Sequence, residues 1–406
     1  MAGRGTDITS FKRTYSTRVE GDFPETLTVE LKKESDQKYG ENPNQPCAIY
    51  TLNNINQNYV GSLARLTNLQ SIRSDEHGKG GLSLNNNMDI TGAMDTLKFF
   101  NMPAVTIMKH TIVSGFAKKV SEGQSLADLF RLARDSDRQS NFGGTFVSNV
   151  SFDMQTAEAI YELRGESPFF VDVVAAPEYD TGVVDYIQKQ SKNVRIAQFS
   201  NLEYLPKFKG DKTHGLMSFK DMPTGRIGVQ GIYLTSIRSA EDLIFDPMVT
   251  TREGGKHVIQ RDPTKQELDD LLTAWWLNVG RVKSNGIVAV TNGVTTAIGS
   301  GQVERFGAGV QAIIKGIQKA MDREGLKYDP LMGILGCELL KNNPFRGACV
   351  SSDAFFPFAD SIDLYARVGV RAIIQPYGSQ RDAEVIDAAN RHGIAMPATL
   401  ERCFLH

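Results

Sequence analysis

With 406 residues, 41% hydrophobic and 23% charged, the chain has the make-up of a soluble globular protein large enough for two core-bearing units. A net charge of −2 and a pI near 6.3 supply no bulk attraction for nucleic acid or an anionic membrane surface, so neither is expected as a partner. No apolar run approaches the roughly 20 residues of a transmembrane helix, and the four cysteines, Cys47, Cys337, Cys349 and Cys403, lack pairing or metal spacing and read as reduced thiols of a cytoplasmic protein.

Met1 to Arg18 is polar without an apolar core, so no secretory signal is expected there. Residues 1–37 read as an N-terminal arm with room for one strand. In Lys38–Tyr39–Gly40–Glu41–Asn42–Pro43, Gly40 and the Asn-Pro step force a loop, with a cation and a phenol at its start. On the residues alone this loop serves equally as a surface turn. A helix is predicted over Met88–Phe100, with Met88, Ala93, Met94, Leu97 and Phe100 on one face. The three asparagines before it, Asn85 to Asn87, exceed what an N-cap needs, which leaves amides to read a ligand carboxamide.

Pro103–Met108 is an apolar run of buried-strand type that stops at Lys109–His110. That places a cation and an imidazole at the strand's carboxyl end, where open α/β sheets hold ligands. By itself the pair also fits a polar loop. A helix follows over Leu126–Arg134, capped by Ser125. In the stretch Asp137 to Gly144, Phe142 offers a stacking face, and Gly143–Gly144 allow backbone to approach a ligand closely. Phe169–Pro177 is a strand pattern interrupted by Asp172, whose carboxylate either needs a partner or faces water on an edge strand.

The pattern weakens from about Ser200 to Arg261. We place a boundary there, giving a first α/β half over 38–200 and a second over 201–406. Thr264 and Glu267 form a capping box, and Leu268, Leu271, Leu272, Trp275 and Val279 follow at helical spacing to deliver Arg281–Asn285. Asn292–Gly293 signals a two-residue hairpin. Gly307–Ala312 matches a dinucleotide-binding pattern but does not directly follow a parallel strand, so it is discounted. No phosphate-binding loop and no zinc-deaminase signature is present. A helix to Val368, a strand over Arg371–Gln375, a helix over Ala383–His392 ended by Gly393, and a strand over Ile394–Thr399 close the chain as an α/β series.

Taken together the motifs resemble the AICAR transformylase family, the C-terminal domain of bifunctional purine-biosynthesis enzymes that also carry an IMP cyclohydrolase domain. The matching segments are Lys38–Pro43, Leu82–Asn86, Lys109–His110, Phe142–Gly144, Pro263–Leu268, Val282–Asn285, Gly299–Gln302 with Arg305, Ser351–Phe358, Ile374–Ser379 and Arg402 with His406. The resemblance implies a cytidine-deaminase-like α/β fold of two similar halves with mixed sheets. It implies formyl transfer from 10-formyltetrahydrofolate to the 5-amino group of AICAR, giving FAICAR. Lys109 and His110 would be the catalytic pair, with Asn285 orienting substrate. Lys38, Tyr39, Asn86, Gly143, Asp172, Phe355, Arg402 and Phe404 would bind the nucleotide, and Phe142, Arg305, Phe358, Asp360 and Ser379 the folate. A homodimer with sites at its interface, a potassium ion near Asp353 and His406, and a separate protein for IMP cyclohydrolysis are further implications.

The residue types suit that chemistry. The acceptor amine is a weak nucleophile, and a histidine can take its proton as the new bond forms. A lysine can stabilise the tetrahedral oxyanion or protonate the departing nitrogen. Lys38, Asn44, Thr111–Val113, Gln139, Ser361 and Leu405 depart from the family's pattern. Lys38 for arginine turns a bidentate phosphate fork into a point charge, and Thr111–Val113 replaces a proline-bearing loop by one expected to be less rigid. Two alternatives are a different one-carbon donor and a non-catalytic nucleotide-binding protein on the same fold.

Overall fold

Ser83 and Thr264 open two helices by the same device. Each hydroxyl accepts from the backbone N–H three residues on, at Asn86 and Glu267, and each of those side chains accepts in return from the cap's own N–H. The computed structural model describes residues 4–11, 21, 23–52, 68–72, 81–162, 169–213 and 216–406. Its first strands are β1 (Thr6–Asp7), β2 (Leu31–Gln37), β3 (Cys47–Leu52) and β4 (Asn68–Ser71). The run from the first capping box is α1 (Leu84–Leu97), β5 (Ala104–Lys109), β6 (Ile112–Lys118), α2 (Leu126–Ser136), α3 (Arg138–Asn141), β7 (Gly144–Ser148), α4 (Met154–Ile160), β8 (Val171–Ala176), α5 (Val183–Gln190) and β9 (Arg195–Ser200). After β10 (Met217–Met222), β11 (Arg226–Gly231), β12 (Pro247–Thr250) and β13 (Lys256–Val258), the second box opens α6 (Lys265–Arg281). Then come β14 (Ile287–Thr291), β15 (Val294–Gly299), α7 (Arg305–Arg323), β16 (Cys349–Ser352), α8 (Asp360–Val368), β17 (Ala372–Ile374) and α9 (Asp382–His392).

Ten of the described strands form one mixed sheet in the order β17-β16-β14-β15-β6-β5-β7-β8-β9-β4. The pairing pattern occurs twice. Hairpin β5–β6 has β7 antiparallel beside it, then β8 and β9 parallel. Hairpin β14–β15 has β16 antiparallel beside it, then β17 parallel. The hairpins meet edge to edge through Val294 and Ala117. Helices α1 and α6 share one apolar core with the middle of the sheet, built on Met94, Leu97, Phe116, Leu277 and Val288. They are tied by Arg281 Nη2 to Asp95 Oδ2 at 2.6 Å. Two further cores hold α2, α4 and α5 around Phe130 and Phe146, and α7, α8 and α9 around Ile317, Tyr365 and Ile386. The chain is therefore α/β with a mixed sheet.

Several expectations change. Helix α1 starts at Leu84, so the three asparagines lie in its first turn rather than before it. Strand β5 is antiparallel to both neighbours, so Lys109 and His110 are not at the carboxyl end of a parallel run. Strand β8 lies between β7 and β9, which removes the edge-strand reading of Asp172. Residues 1–37 include two described strands, and the first finds its partner far along the chain: β1 pairs with β12, and Arg4 Nε donates to the Ile259 carbonyl at 2.7 Å. The weak stretch after Ser200 contains hairpin β10–β11. Helix α7 begins at Arg305, which buries the Gly307–Ala312 pattern inside a helix. Ile394–Thr399 makes isolated bridges at Ala395 and Ala398 instead of a full strand. Among the described residues, no helix is long and apolar enough to cross a membrane.

Candidate active site

Lys109 and Ile112 are paired across the end of a hairpin whose two turn residues are His110 and Thr111. Both lie in the left-handed region, at φ +55° and +64°, as a type I′ turn requires. That conformation suits Asn-Gly and opposes a β-branched side chain. Asp89, on the first turns of α1, holds it. The Thr111 N–H donates to Asp89 Oδ1 at 2.7 Å, and Thr145 Oγ1 donates to Oδ2 at 3.3 Å. Burial raises the Asp89 pKa, while the Thr111 and Thr145 hydrogen bonds and the nearby His110 act in the opposite direction. The turn expected to be slack is therefore anchored. Asp89 carried no motif in the sequence, because its partner is 22 residues away in the next hairpin.

Lys109 Nζ donates to the Phe142 carbonyl at 2.6 Å. Phe142 is half exposed and rests against Phe169 and Phe170. The glycine pair beside it also serves the strand. Gly143 takes φ +71° and donates its N–H to the Phe170 carbonyl at 2.8 Å. A Cβ on Gly144 would stand 2.9 Å from Ile107 Cγ2 and 3.0 Å from the Asn141 carbonyl oxygen. Glycine is needed there to bring β7 against β5 beneath Lys109.

Two of the three amides expected to be spare are also engaged. Asn86 Nδ2 donates to Asp172 Oδ2 at 3.0 Å, and Asn87 Nδ2 to the Ser83 carbonyl at 2.9 Å. Arg195 Nη1 reaches Asp172 Oδ1 at 2.7 Å. Asn86 and Asp172 do come together, as a pair neutralised by an arginine that sequence reasoning missed. Arg195 opens β9, the parallel neighbour of β8, and only the strand pairing reveals it.

A second cluster surrounds Asn285, which follows Ser284 through a cis peptide. Arg305 Nη2 donates to Asn285 Oδ1 at 2.6 Å, and Asn285 Nδ2 donates to the Gln302 carbonyl at 2.9 Å. Arg305 Nη1 also donates to Ser352 Oγ and to Asp353. Arg305, expected at the folate, is buried in this network. The Cys403 N–H donates to the Asp353 carbonyl at 3.0 Å, bringing the chain end alongside, where the Arg402 guanidinium lies 4.9 Å from the Phe404 ring. Phe355 is half-buried after Asp353. The Asp353 carboxylate is taken by Arg305 and by the Ser284 hydroxyl, so a potassium ion near Asp353 and His406 would have to draw on other oxygens there. His406 is exposed, and its carbonyl accepts from Lys220 at 3.0 Å. Among the described residues, no group of three or more His, Cys, Asp or Glu is placed to hold a metal ion.

Phe358, Asp360 and Ser379 lie at the starts of α8 and α9. The Arg381 guanidinium sits 5.0 Å from the Phe358 ring, and its backbone N–H donates to Ser379 Oγ at 3.1 Å. Arg381 was not singled out from sequence. Asp360 is exposed and accepts from the Ser361 N–H at 2.7 Å. Lys38, exposed, and Tyr39, half-buried, follow β2 in a separate ribbon with β3.

Register puts the two clusters on one edge of the sheet. Ile287 pairs with both Gly299 and Ser352, and the antiparallel β15–β6 contact carries the Gly299 end toward Ile112. Yet β15 and β6 stand between β14 and β5, and three strand spacings amount to roughly 14 Å. Asn285, in the loop before β14, and the Lys109–His110 turn thus lie at the same end of the sheet with two strands between their own.

A model of the family described as "AICARFT/IMPCHase bienzyme" matches residues 7–315. The "Bifunctional purine biosynthesis protein PurH" of Magnetococcus marinus is 38% identical over 387 residues, covering 95% of this chain and 62% of the relative. Proteins of the same description from Persephonella marina and Acetivibrio thermocellus are 33% and 34% identical, each over 62% of its own length. The chain thus spans about six-tenths of the length of these curated relatives.

Proposed function

The chain belongs to the AICARFT/IMPCHase bienzyme family, and from that premise we propose that it transfers the formyl group of 10-formyltetrahydrofolate to the 5-amino group of AICAR in purine biosynthesis. The observation that carries this reading is the anchored turn: His110 projects from a hairpin tip fixed by Asp89, beside a Lys109 ammonium fixed by the Phe142 carbonyl. In this reading the amine nitrogen attacks the formyl carbon while His110 takes its proton. The carbonyl oxygen becomes an oxyanion that Lys109 stabilises. The bond to folate N10 then breaks, N10 regains a proton, and FAICAR and tetrahydrofolate are released. Holding both reactants in line removes much of the barrier. The proposal is confined to formyl transfer.

Asn285 enters that reaction through a second copy of the chain. The roughly 14 Å across β15 and β6 supports a homodimer in which each site takes Lys109 and His110 from one subunit and Asn285, Phe355 and Arg402 from the other. The nucleotide would lie between them, with Lys38, Tyr39, Gly143 and Asp172 around it, and the folate on Phe142, Phe358, Asp360 and Ser379. One observation favours trying a second one-carbon donor: Gln139 Oε1 accepts from Lys319 Nζ at 2.8 Å, giving a polar wall beside Phe142. The non-catalytic reading rested on a slack loop after His110, and the Thr111 bond to Asp89 removes that support.

The test is a formyl-transfer assay with AICAR and 10-formyltetrahydrofolate, repeated with other formyl donors. His110→Ala is expected to lose about 10²–10⁴-fold in turnover, and unchanged turnover overturns the assignment. Mixing inactive His110→Ala with inactive Asn285→Ala should restore about a quarter of the sites if partners are shared within a dimer. No restoration on subunit exchange overturns the shared site.

A further inference from the structure

A cavity of about 350 Å³ opens beside the hairpin turn, between the two halves. Its floor is the seam of β6 and β15, from Ile112 to Ser114 and from Thr295 to Ile298; its walls are α7 and the corner between α2 and α3. Three ammonium groups border it, from Lys109, Lys315 and Lys319, against one carboxylate, Asp137. Asp137 Oδ1 is taken by Lys319 Nζ at 3.0 Å. Lys109 reaches only a carbonyl, and among the described residues Lys315 has no ion pair. The cavity therefore carries two cations in excess of its anion, with His110 at its rim. Its hydroxyls do not compensate, because those of Ser114, Ser136 and Ser300 donate to carbonyls and that of Ser140 to Asp137. The lysines are the donors left for a ligand.

We propose that this cavity binds an oxyanion group, carboxylate or phosphate, on a ligand whose reacting end lies at Lys109 and His110. Uncompensated ammonium groups in a partly enclosed space attract negative charge and make charge-assisted hydrogen bonds to oxyanions. The volume lies at the small end for a ligand pocket and suits an anionic fragment rather than a whole cofactor. The inference rests on the formyl-transfer reading for its two sources of such a group, the glutamate tail of the folate and the phosphate of the nucleotide. Lys315 is assigned as the residue that grips it.

Binding is measured on the full chain by calorimetry with two probes, p-aminobenzoylglutamate and inorganic phosphate. At least one is expected to give a binding isotherm that Lys315→Gln weakens by about tenfold or more and that Lys315→Arg retains, with thermal unfolding unchanged in both variants. Response to the glutamate probe alone identifies the folate tail, response to phosphate alone identifies the nucleotide, and response to both defines a general oxyanion site. The proposal is overturned if neither probe binds the unaltered protein, or if Lys315→Gln binds as tightly as the original. Neither probe reports turnover, so absence of formyl transfer would leave this result standing, and loss of the isotherm would leave the formyl-transfer reading standing.

Discussion

Asp89 and Asp270 occupy equivalent places: each lies six residues after its helix cap, Ser83 to Asp89 and Thr264 to Asp270, and each accepts backbone N–H from the turn of the next hairpin. Asp270 takes the N–H groups of Asn292 and Gly293 at 2.9 and 2.7 Å. That second turn uses the residue types its left-handed geometry favours, at φ +51° and +74°. The first turn keeps the geometry but places His110 and Thr111 in it. A framework carboxylate in one half thus has a counterpart in the other that supports the proposed chemistry.

Removing the Asp89 carboxylate should therefore impair catalysis more than folding. Asp89→Ala is expected to lower kcat for formyl transfer by about 10²-fold, the scale of a misplacement near 1 Å, with a smaller effect on the KM for AICAR. Asp89→Asn keeps an acceptor for the Thr111 N–H and should retain most of the rate. Steady-state kinetics with both variants decide this; full activity in Asp89→Ala would remove Asp89 from any positioning role.

Thr111→Gly should stabilise the fold. It relieves a β-branched residue at φ +64°, and the expected gain is about 1 kcal/mol. Urea unfolding measures it. A less stable variant would mean that packing of the threonine side chain outweighs the backbone cost.

Gly144→Ala should destabilise by about 1–3 kcal/mol. The added methyl would press on the Asn141 and Met108 carbonyls at 3.0 and 3.2 Å, and backbone cannot turn aside as a side chain can. The control is Gly231→Ala, where nothing lies within 4 Å and the change should stay within about 0.5 kcal/mol. Equal effects at both positions would refute the close-approach argument.

Asp270 gives the fold a defined pH response. Burial raises its pKa, against the opposing hydrogen bonds from Gly293 and Asn292. The folded state then holds the proton more tightly than the unfolded chain. Its contribution to stability is full below about pH 4 and is lost as pH rises through the raised folded-state pKa. Asp270→Asn does not titrate, so the stability of the original protein relative to this variant should fall as pH rises above about 4. Chemical unfolding at several pH values checks the sign, and a rise with pH would contradict it.

What the sequence made legible was local. The Thr264–Glu267 box, the Ser125 cap and the Asn292–Gly293 turn are each written within a few residues, and each is formed. Apolar runs such as Ala104–Met108 marked buried strands, but a run does not state which strands lie beside it. The antiparallel setting of Lys109 was therefore invisible, as were Asp89, Arg195 and Lys315, whose roles arise from elements brought together by pairing. Asn285 was linked to Lys109 by the family resemblance alone, and the register shows that two strands, β15 and β6, stand between their own. Asn86, Asn87 and the paired glycines also have structural partners that the sequence did not show: Asp172, the Ser83 carbonyl and the close approach of β7 to β5.

The seam between the hairpins is thin, with Val294 and Ala117 as its registered pair. Side-chain bonds supplement it, since the Phe116 N–H donates to Thr295 Oγ1 at 3.0 Å instead of to a strand carbonyl. A broad sheet normally hides its most slowly exchanging amides at its centre. Here the central line has fewer ladder bonds than the flanks, so deuterium should enter β6 and β15 before β8 or β14. The middle of the molecule would then be its most permeable line, directly under the cationic cavity.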